Sequence, residues 1–167
     1  MEYYKITPNE NLPNIIYPML PSFTELWSEE APIFIRGKAK SPLKRLTFLP
    51  FYKSHCFLVN GKIAEIWQNY QIGGRYRQCA MGSIEQKKID YYSVMMPKMV
   101  DGIHPSTEYH KNGDIKNMVL SRTKVGPHKV FGIKDRHLTH LIITEDILEE
   151  ILQENIVEFI WKHIGSQ

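Results

Sequence analysis

The chain has 167 residues, 43% of them hydrophobic and 23% charged, which is typical of a globular protein with a core of its own. Its 11% aromatic content argues against a disordered chain, and one domain is the expected number at this length. A net charge of +3 is too small to indicate a binder of nucleic acid or membrane, and we see neither an apolar run of membrane-spanning length nor a signal-peptide pattern.

The N-terminal third predicts short elements separated by proline. Tyr3 to Ile6 reads as a strand, and four prolines within residues 8–21 exclude a continuous helix, so extended backbone over a core is expected there. Ser22, with Glu25 three residues later, forms a capping-box pattern at the start of a short helix. Pro32 to Ile35 is then predicted to be a strand.

A basic segment follows, from Arg36 to Arg45. It contains five cations and no anion, and Gly37 and Pro42 favour a loop over a helix. Such a loop could contact phosphates of a nucleic acid. The small net charge and the lack of an aromatic stacking pattern favour a solvated loop instead. The cations are Arg36, Lys38, Lys40, Lys44 and Arg45.

The middle of the chain predicts a helix and then several strands. Asn60 is a favoured N-cap, and apolar residues recur after it at helical spacing up to Tyr70. Gly73-Gly74 is the expected stop. The predicted strands that follow are Tyr76–Met81, Asp90–Met95, Met118–Ser121 and Lys129–Ile133, with a polar loop over residues 101–114.

The last thirty residues give the clearest pattern. Leu141 to Ile143 predicts a buried strand, and Thr144 is placed to cap a helix over Glu145 to Glu154. One side of this helix is apolar, and its first turn is acidic, which the helix dipole favours. Asn155 is expected to end the helix, and Val157 to Trp161 to return as a strand.

Cysteine and histidine give no strong chemical motif. Cys56 and Cys79 do not form a CxxC and predict two reduced, partly buried thiols, although sequence leaves their separation open. His55 and Cys56 are adjacent, so in extended backbone they face opposite ways and cannot act as base and nucleophile. His137 and His140 lack the helical spacing of zinc ligands.

The paired carboxylates at Glu29-Glu30 and Glu149-Glu150 sit in or beside predicted helices, which gives a glycosidase dyad little support. We therefore predict no catalytic residues, no metal and no cofactor.

Residues 55–161 resemble a known family in the order of their elements: a helix, a Tyr-Tyr strand before an Asp-containing turn, short apolar strands, an acidic helix and a closing Phe. The pieces that carry the resemblance are Leu58–Tyr70, Asp90–Val94 with Asp101, Val119–Leu120, Val130–Phe131, Leu141–Thr144, Glu145–Glu154 and Phe159. They are similar to the bacterial polymorphic-toxin immunity proteins of the family numbered eleven, formerly a domain of unknown function. That family often has Gly before the closing Phe, whereas Val157-Glu158-Phe159 stands here.

The resemblance implies an antitoxin of bacterial competition that works in the cytoplasm. Such a protein binds the toxic domain of its cognate secreted effector and occludes it, and the family offers no catalytic residues to carry over. Because nuclease toxins have basic clefts, an acidic face suits toxin neutralisation by protein–protein interaction. The candidate partner-binding residues are Asp146, Glu149, Glu150 and Glu154, whose simpler interpretation is a solvated helix face. The expected partner is the toxin domain, with no nucleic acid and no membrane.

The predicted fold class is α+β, with one domain over residues 1–167 that allows a smaller N-terminal lobe at 1–54. We expect a largely antiparallel sheet of short strands with a few helices on one face. The alternative function is a small hydrolase or transferase with an unrecognised active site. It would need a deep pocket with convergent titratable groups, drawn from His104, His110, His137 or His140.

Overall fold

The computed structural model describes residues 1–28, 32–70 and 74–167. The strands within them are β1 (Tyr3–Pro8), β2 (Tyr17–Pro18), β3 (Ile33–Lys38), β4 (Phe51–Lys53), β5 (Phe57–Asn60), β6 (Arg75–Ser83), β7 (Lys88–Met96), β8 (Glu108–Tyr109), β9 (Ile115–Asn117), β10 (Val119–Leu120), β11 (Val130–Asp135), β12 (Leu138–Thr144) and β13 (Phe159–Ser166). The helices within them are α1 (Phe23–Leu26), α2 (Gly61–Asn69), α3 (Arg122–Val125) and α4 (Glu145–Gln153). The fold is α+β, as predicted.

The chain divides into two compact units. The first unit comprises Met1–Thr7, Ile66–Gly73 and Pro97–Gln167, and the second unit comprises Pro8–Glu65 and Gly74–Met96. The prediction of one domain with a lobe at residues 1–54 stays a prediction.

The first unit is built on a five-stranded sheet in the order β10-β13-β1-β12-β11. β1 and β11 both run antiparallel to β12, whereas β10 and β13 are parallel. Side chains alternate between the two faces of a strand. Tyr3 therefore enters a buried cluster with Phe131 and Ile142, while Tyr4 points to the other face.

The second unit is built on a six-stranded sheet in the order β2-β3-β6-β7-β5-β4. β6 and β7 form a long antiparallel hairpin, and β3 pairs with β6 in parallel. The core on this sheet includes Ile16, Leu26, Ile35, Leu58, Met81 and Val94. The proline-rich segment packs on this core through the buried Ile15 and Ile16, but it is extended only in part, because residues 10–14 form turns before β2.

The expectation of one largely antiparallel sheet is corrected. The strands form a five-stranded, a six-stranded and a two-stranded sheet, and parallel pairs occur in the two larger ones. The two-stranded sheet, β8 with β9, begins within the segment 101–114 that was expected to be a loop. Strand order depends on contacts between residues far apart in sequence, and the local pattern does not report them.

β3 extends three residues beyond its predicted end. The segment from Arg36 was expected to be a loop, but Tyr17 pairs with Lys38 and holds the backbone extended. Gly37 fits there because its backbone lies against Ile16, where a β-carbon would come within 2.4 Å of that side chain.

β13 begins later and runs further than predicted. It lies between β10 and β1, and pairing with these two strands keeps its polar C-terminal part extended. Val157, its predicted start, is exposed and lies outside the strand. The short helix α3 was not predicted at all.

Helix boundaries follow local signals. Ser22 and Glu25 form the predicted capping box of α1, and the backbone N–H of Ile63 donates to the Asn60 side chain at 2.9 Å. α2 ends at Asn69; Gly73 of the predicted stop, like the Glu29-Glu30 pair, lies outside the described residues.

Within the part of the chain that the structure describes, no helix has the length and apolar character needed to cross a membrane.

The acidic helix α4 ends in a Schellman motif. The N–H of Asn155 donates to the carbonyl of Leu152, and the N–H of Ile156 donates to that of Ile151. Asn155 has a φ of 59°, in the left-handed region that Asn tolerates better than most residues. The predicted end of the helix at Asn155 is therefore confirmed, and the left-handed conformation of Asn155 is its physical reason.

Candidate protein-interaction face

α4 carries three of the four acidic residues that the sequence analysis singled out, and the fourth, Glu154, is its C-cap. Its apolar stripe of Ile147, Leu148 and Ile151 is buried, which turns the acidic side outward. Glu149 and Glu154 are exposed, whereas Asp146 and Glu150 are half-buried. The helix therefore presents its carboxylates in two different environments.

Asp146 is held by two donors, Lys129 just before β11 and Thr144 at the end of β12. The Lys129 ammonium forms a hydrogen-bonded ion pair with it, and the Thr144 hydroxyl donates to its other oxygen. Partial burial would raise the pKa of Asp146, but these two hydrogen bonds outweigh it and hold the pKa below its ordinary value. Thr144 occupies the N-cap as predicted, but its side chain makes no capping bond to the backbone because it donates to Asp146.

Glu150 is also engaged within the first unit. The Tyr70 hydroxyl donates to its carboxylate at 2.7 Å, and the Lys129 ammonium lies 4.7 Å from the centre of the Tyr70 ring. The hydrogen bond to Glu150, then burial, raises the pKa of Tyr70 to about 12. We call Tyr70, Lys129, Asp146 and Glu150 the Lys129 network. Two of the four predicted partner-binding acids thus belong to a structural network.

The sequence analysis missed a group of residues that lies beside the other acids. Burial raises the pKa of Tyr4, and so do the negative charges of Glu145, Glu2 and Glu149 nearby. The Glu2 carboxylate also bonds the imidazole of His163, which lowers the pKa of Glu2. We call Glu2, Tyr4, Glu145 and Glu149 the acidic face.

The acidic face joins residues at opposite ends of the sequence. Tyr4 on β1 pairs with Ile143 on β12, so residues near position 4 meet the start of α4. A Tyr-Tyr strand and an acidic helix are both visible in the sequence. Their adjacency is not, because it depends on which strands pair.

An exposed tryptophan lies on the same side of the sheet. The His163 ring contacts Tyr4 edge-on, with ring centres 5.5 Å apart, and Trp161 shares the His163 face of β13 by alternation. Trp161 is 40% exposed and contacts the Phe159 ring at 5.3 Å. An exposed Trp is a residue type that is enriched in protein-binding surfaces.

The four histidines named for an enzyme site have separate environments. His104 is hydrogen-bonded to the Ser106 hydroxyl at 2.7 Å, and His110 and His137 are exposed in turns. His140 lines a small cleft and its Nε2 lies 3.4 Å from the carboxylate of Asp135. His140 is thus the one of the four that the structure places on the wall of this cleft.

The basic segment lies beside two open clefts of the second unit. Arg36 pairs with Glu85 at 3.1 Å, and Lys38 and Lys40 border the clefts. The cleft at Arg36 has a volume of about 280 Å³ and is lined partly by Ile16 and Leu46. Two of the five cations, Arg36 and Lys38, therefore lie on β3, and the other three lie in the loop that follows it.

The two thiols are buried and unoxidised. Burial raises the pKa of Cys56 to about 11 and that of Cys79 to about 12, well above the range of reactive thiols. Among the described residues there is no cluster of three or more His, Cys, Asp or Glu able to hold a metal ion.

The sequence matches no family model, and no curated protein matches it. The resemblance to immunity proteins therefore continues to rest on the residues and the element order that carry it.

Proposed function

We propose that this chain is an immunity protein that binds a cognate secreted toxin domain in the cytoplasm and neutralises it by occlusion. The observation that supports this most directly is the acidic face, where the pairing of β1 with β12 brings Tyr4 near the start of α4 and the charges of Glu2, Glu145 and Glu149 act on it. A toxin with a basic substrate cleft would meet these carboxylates in place of phosphate groups.

The surroundings of the acidic face supply what a tight interface needs. Trp161 and Tyr4 are aromatic residues of the kind that anchor binding energy at the centre of interfaces. The Lys129 network holds α4 through Asp146 and Glu150, so little ordering is required when the partner binds. Glu149 and Glu154 stay exposed on the outer side of the helix for long-range attraction.

The first experiment is co-purification. We expect the gene to lie beside that of a toxin, and the two products expressed together to form a tight complex with one copy of each protein. An isolated locus whose product captures no neighbouring gene product would contradict the proposal.

The second experiment maps the interface. The double variant Glu145→Lys with Glu149→Lys should slow association with the toxin at least tenfold at low salt. Electrostatic steering raises association rates by about 10- to 1,000-fold, and this variant removes its source. The effect should shrink as salt is added. Glu65→Lys, an exposed helical glutamate in the second unit, is the matched control and should leave the rate unchanged. Equal rates for all variants would move the interface away from the acidic face.

The alternative is a small hydrolase or transferase, and one observation favours it. The cleft at His140 brings an imidazole–carboxylate pair together with Lys5. Turnover of a metabolite by the purified protein, lost in His140→Gln, would replace the immunity proposal with this one.

A further inference from the structure

A small cleft in the first unit is lined by several basic residues. It has a volume of about 50 Å³, and its described lining residues include three lysines and two histidines but no carboxylate. This volume holds about four water-sized groups, which is the size of one tetrahedral oxyanion. The polar lining residues used below are Lys5, Lys116, His140 and Lys162, and the apolar ones include Met118 and Ile164.

Two of these lysines lie on neighbouring strands of the sheet. Lys5 lies on β1 and Lys162 on the neighbouring strand β13, and both side chains line the cleft. Lys5 is half-buried; burial lowers its pKa, and the charge of Lys162 lowers it further. Like charges placed together on adjacent strands destabilise a sheet. An unfavourable arrangement of this kind is typical of a binding site, where the ligand relieves it.

The other charged groups around the cleft are already partnered. Asp135 is the carboxylate that acts on Lys5, but its Oδ2 accepts from the backbone N–H of Ile115 at 3.2 Å and lies 3.4 Å from His140. Lys116 faces Glu108 at 3.9 Å on the surface, and the His163 imidazole bonds Glu2. Lys5 and Lys162 are therefore the charges that an anion in the cleft would neutralise.

We propose that this cleft binds one phosphate-type oxyanion, with the ammonium groups of Lys5 and Lys162 as its donors and His140, fixed by Asp135, as part of its wall. The shared ligand chemistry is a tetrahedral dianion, supplied either as free phosphate or as the terminal group of a small phosphate monoester. This site is separate from the acidic face and does not depend on the proposed immunity function.

The test uses the full chain without a toxin partner. Inorganic phosphate and phosphoserine are titrated separately by calorimetry at low ionic strength in a chloride buffer. We expect saturable binding, weakened about tenfold or more by Lys5→Gln and by Lys162→Gln, because each removes a charge-assisted hydrogen bond. Tighter binding of phosphoserine would assign a monoester, and tighter binding of phosphate would assign the free ion.

Lys134→Gln is the matched control, since Lys134 is exposed on β11 and alternation points it to the opposite face from Asp135. It removes the same charge from the same sheet and should change phosphate binding less than twofold.

Thermal unfolding gives an independent readout. Without phosphate, Lys5→Gln and Lys162→Gln should raise the Tm because the repulsion is gone, and low millimolar phosphate should then raise their Tm less than that of the unmodified chain. Low concentrations are needed because phosphate at high concentration stabilises proteins without binding. The proposal is overturned if phosphate shows no saturable binding, or if Lys134→Gln weakens binding as much as Lys5→Gln.

Discussion

The Tyr70 hydroxyl donates a 2.7 Å hydrogen bond to the carboxylate of Glu150, across 80 residues of sequence. This contact connects the residue that follows α2 to the half-buried Glu150 of α4 within the first unit. Together with the Lys129–Asp146 ion pair, it fixes the helix that carries the predicted partner-binding acids.

Replacing Tyr70 by Phe should lower the free energy of unfolding by about 1 kcal/mol, because one hydrogen bond to a half-buried carboxylate is lost. Tyr109→Phe, at an exposed position of the same unit, is the control and should change it by less than about 0.5 kcal/mol. Urea unfolding measures both. An equal effect of the two variants would show that the hydrogen bond does not stabilise the fold.

The same tyrosine predicts a pH dependence. Its pKa is raised from 10.0 to about 12 in the folded chain, so the neutral phenol stabilises the fold. This contribution is fully present below pH 10 and is lost as the pH rises towards 12. The difference in stability between the unmodified chain and Tyr70→Phe should therefore narrow across this interval in urea titrations at successive pH values. A constant difference would contradict the assignment.

Gly37→Ala should destabilise the second unit. A β-carbon at Gly37 would lie 2.4 Å from two atoms of the buried Ile16 side chain, so the core must shift, at a cost of about 1–3 kcal/mol. Gly165→Ala is the control on another strand, because its β-carbon would meet its nearest neighbour, Val119, at an ordinary 4.0 Å. Thermal unfolding of both variants measures the difference. Equal Tm values would mean that Ile16 moves aside freely.

Cys56 and Cys79 should react slowly with a thiol reagent in the native protein. With a pKa of about 11, only about one Cys56 side chain in a thousand is a thiolate at pH 8, and both residues are buried. In denaturant both thiols should react within the mixing time. Fast labelling of the native chain would show that the core around them opens readily.

Asn60→Ala should lower the free energy of unfolding by about 1 kcal/mol, because the Ile63 N–H loses its side-chain acceptor at the start of α2. Gln68→Ala, at an exposed position inside the same helix, should have a smaller effect or none. Denaturant unfolding compares the two. If Gln68→Ala has the larger effect, the cap does not determine the stability of this helix.

Local signals explain which elements the sequence predicts well. The capping box at Ser22 and Glu25, the Asn60 cap and the left-handed Asn155 each act within a few residues, so the sequence alone is enough. Strand order is different, because β1 pairs with a strand more than a hundred residues away. The predicted start of β13 at Val157 was wrong, because an apolar side chain does not by itself provide the backbone with a pairing partner.

The candidate site follows the same division. The acids of α4 were predicted from the sequence as one set, but the structure separates Asp146 and Glu150 from Glu149 and Glu154. The partners responsible, Lys129 and Tyr70, lie 17 and 80 residues away from these acids in the sequence. No pattern along the chain could have identified them.

The position of β1 in its sheet has a consequence for biosynthesis. β1 emerges from the ribosome long before β12 and β13, the two strands that flank it. Until those strands are translated, its backbone donors and acceptors and the apolar side of Tyr3 have no native partners in this sheet. Such late, long-range pairing slows folding, so chaperones that hold the nascent N-terminal segment should raise the yield of native protein.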